Sequence, residues 1–506
     1  MDAAEPVRLE EHVVAARDAD GGGGGGGGGG LTREEQGRGM RWLIAGNGLS
    51  TILVDTNFYG NFFMLFLAEL KLDAGRIGSL LSLLSVCGVL SLALAPTVSR
   101  VGYRRSWLTY AWARLAFAGL LLGAPAVARH WGGGATFVLV TVSVVGFGCS
   151  RAVGDTAILA WSGALIPNDR RGRFNAVTLI VQQVCKLVTV LVLGGLVAER
   201  SGLRPYEQAI GGGLVVGVAA CWCYARMPGG KPVGAAGGGE VGGTLRSSIP
   251  TVGSMWATVR RDGPFGLYLS GMVVVIVGQC MLVSFVPLFM RSVAGMPSSW
   301  VVWLDAAGMA GGLCTSYLWG RWADRFGSKP MMLLAGMAIL SVPALNVLAE
   351  WRRAFGVAGA FAMGLSLAGW NITLVRFLYT NAMPADGAPS YTAVFNAVFG
   401  LSGAIGPFVA GQVLRVLAGP GAGLSPAAGY HALFLGGGLI VAGGVGVLAF
   451  TQANDDVSLW QLCRRATGGG LTAGGGEGRL PAEDFSPRRH GGTEKQGREE
   501  LGGDEL

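Results

Sequence analysis

The residues of this chain best placed to do chemistry are ionisable side chains inside long apolar segments. Asp55 lies in LVDTNFYGN, with Tyr59 four residues on. At helical spacing the carboxylate and the phenol share a face and offer a ligand one hydrogen-bonding edge. Lys186 sits in the middle of another such segment, one turn after Gln182 and Gln183. At a depth similar to that of Asp55 it can form a buried ion pair, which opens when a proton or a ligand neutralises one partner. GFGCSRAVGDTAILAW sets Arg151 and Asp155 four apart on one face, where they can pair within the helix. Later segments offer mostly neutral groups, Gln279 and then Trp370 and Asn371, with Arg376 nearby. An ion at the middle of a bilayer costs about 2.5–3.5 kcal/mol on insertion scales, so each of these charges must face an interior, pair, or line water. A purely structural ion pair meets the same demand, and packing alone accounts for the neutral residues, so residue type leaves both readings open. Asp305 and Arg114 lie about two turns from a segment end, close enough to snorkel out of the apolar layer.

The elements that must hold these residues follow from composition. The chain has 506 residues, 51% hydrophobic and 14% charged, with a mean hydropathy of +0.47. That is too apolar for a soluble protein of this length and places it in the membrane class. A net charge of +8 would suggest nucleic acid in a soluble chain. Here the Lys and Arg residues sit in short loops between apolar runs, so they mark topology and no nucleic-acid partner is expected. From Arg41 onward twelve segments are long enough to cross a core of about 30 Å at about 1.5 Å per residue. They are roughly 42–68, 77–98, 107–128, 135–165, 174–198, 207–225, 265–290, 300–322, 331–349, 355–383, 391–417 and 431–451. The expected fold is therefore an all-α membrane protein, with residues 1–40 and 452–506 as flexible, Gly-rich tails and the Gly- and Pro-rich 227–264 as a linker.

Loop patterns divide the chain further. Between the eighth and ninth segments stands a charged clasp, GRWADRFGSKP, and a weaker copy, APTVSRVGYRRS, follows the second. Their superposition sets Arg100 on Arg325 and Gly102 on Gly327. A second echo, ALIPNDRRGRFNAV at 164–177 and NAMPADGAPSYTAV at 381–394, recurs in the same order. Two echoes in one order predict two six-helix repeats, 41–226 and 265–451, related by an axis along the membrane normal. Basic residues concentrate in the loops on the side of Arg100, Arg170, Arg226, Arg325 and Arg464, so both termini are expected in the cytoplasm, with the plasma membrane as host. Asp324 either pairs with Arg325, Lys329 or a basic residue across the gap between helices, as a latch, or simply belongs to a charged turn.

The clasp carries a family resemblance. Gly320, Asp324, Arg325, Gly327 and Lys329 fit the pattern G-x-x-x-D-R-x-G-x-[RK], which resembles the cytoplasmic loop signature of the major facilitator superfamily. In the first copy Ser99 stands in place of the Asp, with Arg100, Gly102, Arg104 and Arg105 retained. Gly146, Gly148, Arg151 and Gly154 are similar to the Arg-bearing fourth-helix motif of proton-coupled antiporters in that superfamily. GAIGPFVAG, Gly403 to Gly411, is similar to its Gly-Pro motif, although here it falls in the eleventh segment and fits close packing. Over residues 40 to 452 the resemblance implies a secondary transporter that moves a small solute by alternating access, working as a monomer. Asp55, Arg151, Asp155 and Lys186 make protons the candidate coupling ion. A rival from another class is a transporter-like receptor or scaffold that binds a ligand without net movement.

Several chemistries are excluded as expectations. No GxxxxGK[ST] loop is present for ATP. Neither a nucleophile with a base nor a metal-spaced cluster occurs, so no enzyme activity, metal or cofactor is expected. The eight cysteines are scattered, mostly in apolar runs, and imply no disulfide framework.

Overall fold

The computed structural model describes residues 32–167, 170–199, 202–229, 262–383, 388–418 and 425–451. Most of the expected tails and linker, and part of the second loop echo, lie outside the described residues. The described chain is almost entirely helical. The first half contains α1 (Arg33–Asn57), α2 (Gly60–Glu69), α3 (Ala74–Val101), α4 (Tyr103–Gly119), α5 (Ala124–Leu165), α6 (Arg171–Glu199) and α7 (Arg204–Ala225). The second contains α8 (Gly263–Ser284), α9 (Val286–Ser292), α10 (Ser298–Phe326), α11 (Ser328–Ile339), α12 (Ser341–Leu348), α13 (Ala354–Phe377), α14 (Ala388–Leu417) and α15 (Pro426–Ala449).

Local chemistry sets several boundaries. Thr32 starts α1 through a capping box, its hydroxyl accepting from the Glu35 N–H at 3.2 Å while the Glu35 carboxylate accepts from the Thr32 N–H at 2.9 Å. Those donors hold the Glu35 carboxyl below its usual range. In each half the first rod then breaks at a phenylalanine, Phe58 (φ −138°, ψ −11°) and Phe285 (φ −115°, ψ 4°). Pro287 cannot supply the amide that would continue the second of these. The two loop glycines, Gly102 and Gly327, both take φ 93°, a left-handed value that a side chain would strain. This shared geometry explains why a glycine stands at that position of both copies.

Among the described residues, eight runs are long and apolar enough to cross a membrane. The longest, Tyr103–Ile158, contains the third and fourth expected segments, bent at Gly132 (φ 75°). The expected segments 42–68, 77–98 and 300–322 are helical as well, but do not meet that criterion. The first is interrupted at Phe58, and α3 counts only as a shorter apolar helix over Ala74–Gly88. α10 carries Asp305 and, at its far end, Arg321, Asp324 and Arg325.

Packing repeats with the chain. α1 lies against α6 and α7 as α8 lies against α14 and α15, and α3 packs on α5 as α10 packs on α13. The halves meet along two seams, α3 with α14 and α6 with α10, which the repeat exchanges for one another. The first seam is backbone on backbone. A Cβ on Gly78 would strike the Pro407 carbonyl and the Gly411 Cα, and one on Gly411 would strike the Ala74 carbonyl. Ser82 Oγ donates across it to the Ala404 carbonyl at 2.6 Å. On the second seam the Trp303 indole fills the space at Gly194 and donates to the Leu191 carbonyl at 3.4 Å. These contacts gather toward the end of the bundle away from Thr32 and Asp262, where Arg291 of the second half also pairs with Glu69 of the first.

Gly411→Val should force the first seam apart, costing about 1–3 kcal/mol. Thermal unfolding should show the loss, and spin labels on α3 and α14 should separate. Gly403→Ala, at a site open to space, should leave both readouts unchanged; a drop there equal to that of Gly411→Val would deny the seam its role.

Candidate functional site

Two adjoining cavities hold most of the sequence-nominated residues. The smaller, about 320 Å³, belongs to the first half: Asp55 and Tyr59 line it beside Arg151 and Asp155 of α5 and Gln182 of α6. The larger, about 760 Å³, lies between the halves, with Lys186 of α6 on one wall and α10, α12 and α13 on the other, including Asn371. Its surface is mainly apolar, and close glycine contacts between α10 and α13 shape it. A Cβ on Gly364 would overlap the Gly308 carbonyl, and one on Gly311 the Phe361 carbonyl.

Asp55 and Lys186 connect the two spaces. Their charged atoms lie 4.0 Å apart, with the lysine about a third exposed and the aspartate mostly buried. The second carboxylate oxygen of Asp55, Oδ2, is buried without a partner among the described residues. Lys186 shares the larger cavity with Asp305 of α10. Asp305 binds across the halves, accepting from the Asn61 N–H at 2.8 Å, while the Asn61 side chain donates to the Val301 carbonyl, also at 2.8 Å. A carboxylate of one half thus caps the N-terminus of α2 in the other. Gly60 permits this approach: its φ is +75°, and a Cβ there would collide with the Asp305 carboxylate.

The expected common face of Asp55 and Tyr59 does not form, because α1 ends at Asn57 and Tyr59 is extended. The break nonetheless turns the phenol toward the same cavity, where Arg151 donates to its oxygen. Arg151 also pairs within its helix with Asp155, Nε to Oδ2 at 3.2 Å.

Three nominated residues lie outside both linings. Arg376 reaches the loop instead and pairs with Asp324 at the end of α10. The clasp carboxylate is therefore joined to α13, not to its neighbours Arg325 or Lys329. Lys329 donates to the Thr451 carbonyl at 2.6 Å, and the Arg325 guanidinium lies 5.3 Å from the Phe326 ring centre. Trp370 is fully buried in the second bundle, near Gly336 of α11, and its indole nitrogen has no partner among the described residues. Among the same residues Gln279 keeps a buried, unpartnered oxygen.

Arg114 and Asp305 are the residues the spacing argument undervalued. Both line cavities instead of snorkelling, and Arg114 is only 5% exposed. A charge in an apolar segment was the available signal; distance from the helix end misled, because the Arg114 guanidinium lies over the Trp107 ring of its own helix and Asp305 reaches the Asn61 amide of the other half.

Two bundles joined along symmetric seams around a cavity define the architecture of a two-bundle membrane transporter. The sequence matches the Major Facilitator Superfamily over residues 47–407, and the chain belongs to that family. Among curated proteins no sequence relative matches. Solved structures of similar fold include a point mutant of the nucleoside transporter NupG (TM-score 0.65, 14% identity, 82% of this chain and 100% of that one). Unsubstituted NupG gives a TM-score of 0.60 at 12% identity, covering 81% and 98%. A bacterial homolog of the human lysosomal transporter Spinster, inward-facing and unoccupied, gives 0.61 at 11%, covering 83% and 97%. At these identities the likeness carries the fold alone.

Asp305→Ala should uncap α2, a loss of about 0.5–2 kcal/mol. Amide exchange in residues 61–63 should then quicken roughly two- to thirtyfold, while Asp305→Asn, which keeps an acceptor, should change it far less. Equal exchange in Asp305→Ala and the parent would remove the cap from the account.

Proposed function

We propose that this chain is a proton-coupled secondary transporter that carries a small solute through the cavity between its halves by alternating access. Transport across a membrane follows from the family; the coupling and the route are inferred from the site. The observation that carries the reading is the 760 Å³ cavity walled by both halves, next to an ion pair in the first half and near the seams' tight end. Counts of Lys and Arg in the loops support an orientation with that tight end outside the cell and both termini in the cytoplasm. We assign residues 41–226 and 265–451 to the moving halves, 227–264 to the connecting linker, the plasma membrane as host, and the monomer as the working unit.

The charge chain supplies a coupling mechanism. Lys186 pairs with Asp55 of its own half and lines the same cavity as Asp305 of the other. A proton on Asp55, whose Oδ2 lacks a donor, discharges the pair and leaves Lys186 to act on Asp305, the residue that caps α2 across the halves. At 4 Å a unit pair near a protein surface is worth up to about 4 kcal/mol, less where solvent reaches the lysine. Even half of that shifts a two-state ratio more than tenfold.

Uptake of a metabolite mixture into proteoliposomes, read by mass spectrometry, should change several-fold when a pH gradient is imposed. Asp55→Asn should make the same uptake indifferent to the gradient, and Lys186→Gln should weaken the response. Wild-type flux that ignores the gradient would remove the proton from the mechanism.

A further inference from the structure

We propose that the small cavity of the first half binds an oxyanion, the carboxylate or phosphate group of the solute, with Arg114 as its main charge partner. The inference rests on the transport reading above and names the class of solute. Arg114 projects from α4 into this cavity and is 5% exposed. Its guanidinium carbon lies 4.6 Å from the centre of the Trp107 ring, and its Nε is buried without an acceptor. Among the described residues it takes part in no ion pair or hydrogen bond.

Every other charge around the site is accounted for. Arg151 is held by Asp155 and the Tyr59 hydroxyl, Asp55 by Lys186, and Asp305 by the Asn61 amide. The small cavity holds Arg114 and Arg151 with Asp55 and Asp155, and the larger one adds Lys186 and Asp305; each of these except Arg114 has a specific contact. The uncompensated charge is on Arg114. An aromatic face offsets part of the cost of burying a guanidinium, but leaves its in-plane N–H groups unused. That fork fits two oxygens of a carboxylate or phosphate, a match that an ammonium-bearing solute cannot make. Gln182 lines the same cavity and has no hydrogen-bond partner among the described residues, so its amide is available as a further donor. The apolar body of such a solute would extend past the Asp55–Lys186 pair toward the larger cavity.

The purified full chain tests this by thermal unfolding with four probes of similar size at matched ionic strength: benzoate, phenyl phosphate, benzamide and benzylamine. A saturable rise of several degrees with benzoate or phenyl phosphate, absent with the other two, is the expected result, and the stronger of the two anions identifies the headgroup. Arg114→Gln should abolish that rise, and Arg114→Lys should weaken it about tenfold in concentration. If Arg114→Gln does not fold, the wild-type comparison of benzoate with benzamide decides alone. No shift with either anion, an equal shift with benzamide or benzylamine, or an anion shift retained in Arg114→Gln would each overturn the proposal. Anion binding without flux under any gradient would leave the site standing and remove the transport route through it. Flux confined to neutral or cationic solutes, with no anion shift, would do the reverse.

Discussion

An ion in an apolar bundle is costly to leave without a partner, and apart from Arg114, which lies over the Trp107 ring, the interior charges of this protein are arranged around that constraint. Asp55, Lys186, Arg151, Asp155 and Asp305 each have a specific contact, and the contacts join elements that would otherwise be free to separate. Lys186 ties α6 to α1. Arg151 ties α5 to the residue that follows the break in the first rod. Asp305 ties α10 to α2 across the halves. Two of them, Lys186–Asp55 and Asp305–Asn61, end on a carboxylate, the kind of group whose charge a proton can cancel.

Close packing supplies what the charges cannot, a seam that registers one way. Gly78 and Gly411 bring two backbones together with no side chain between them, and Trp303 fills the hollow at Gly194 on the other side. Dispersion at such distances falls steeply with separation, so the seam is either engaged or lost over a small displacement. In the proposed alternating-access cycle, two engaged seams at one end would serve as the hinge about which one bundle turns on the other.

Much of this was legible in the sequence because it depends on local chemistry. The helical apolar segments, the duplicated loop and the place of Gly102 and Gly327 follow from length, charge and the backbone demands of a tight turn. The ion pairs were legible only as candidates. Arg151 and Asp155 share a helix and could be paired by spacing, whereas the Asp55–Lys186 contact depends on how α1 packs on α6. Arg376 shows the limit most clearly. Its segment is apolar and its neighbours are Trp370 and Asn371, so the sequence assigns it to the cavity, yet its long side chain reaches the Asp324 carboxylate at the end of α10. The break after Asn57 was equally hidden, since NFYGN contains no proline and its glycine takes a left-handed φ only in the company of Asp305.

The two halves share a frame and differ in what they place inside it. The first lines its small cavity with four ionisable charges, Asp55, Arg114, Arg151 and Asp155. The second faces the central cavity with Leu304, Met309, Leu313, Met363 and Leu367, with Asp305 as its one charge there. A pseudo-symmetric bundle that carried charge on both sides would hold its halves by strong pairs in either state and move slowly between them. An apolar wall opposite a charged one has no such preference: it accepts a solute body by contact area alone and offers few hydrogen bonds that must be broken on release. In the proposed transport cycle the arrangement would divide recognition, which needs the directional groups of the first half, from sliding, which is easiest against the second, with Asp305 as the carboxylate that joins the two halves.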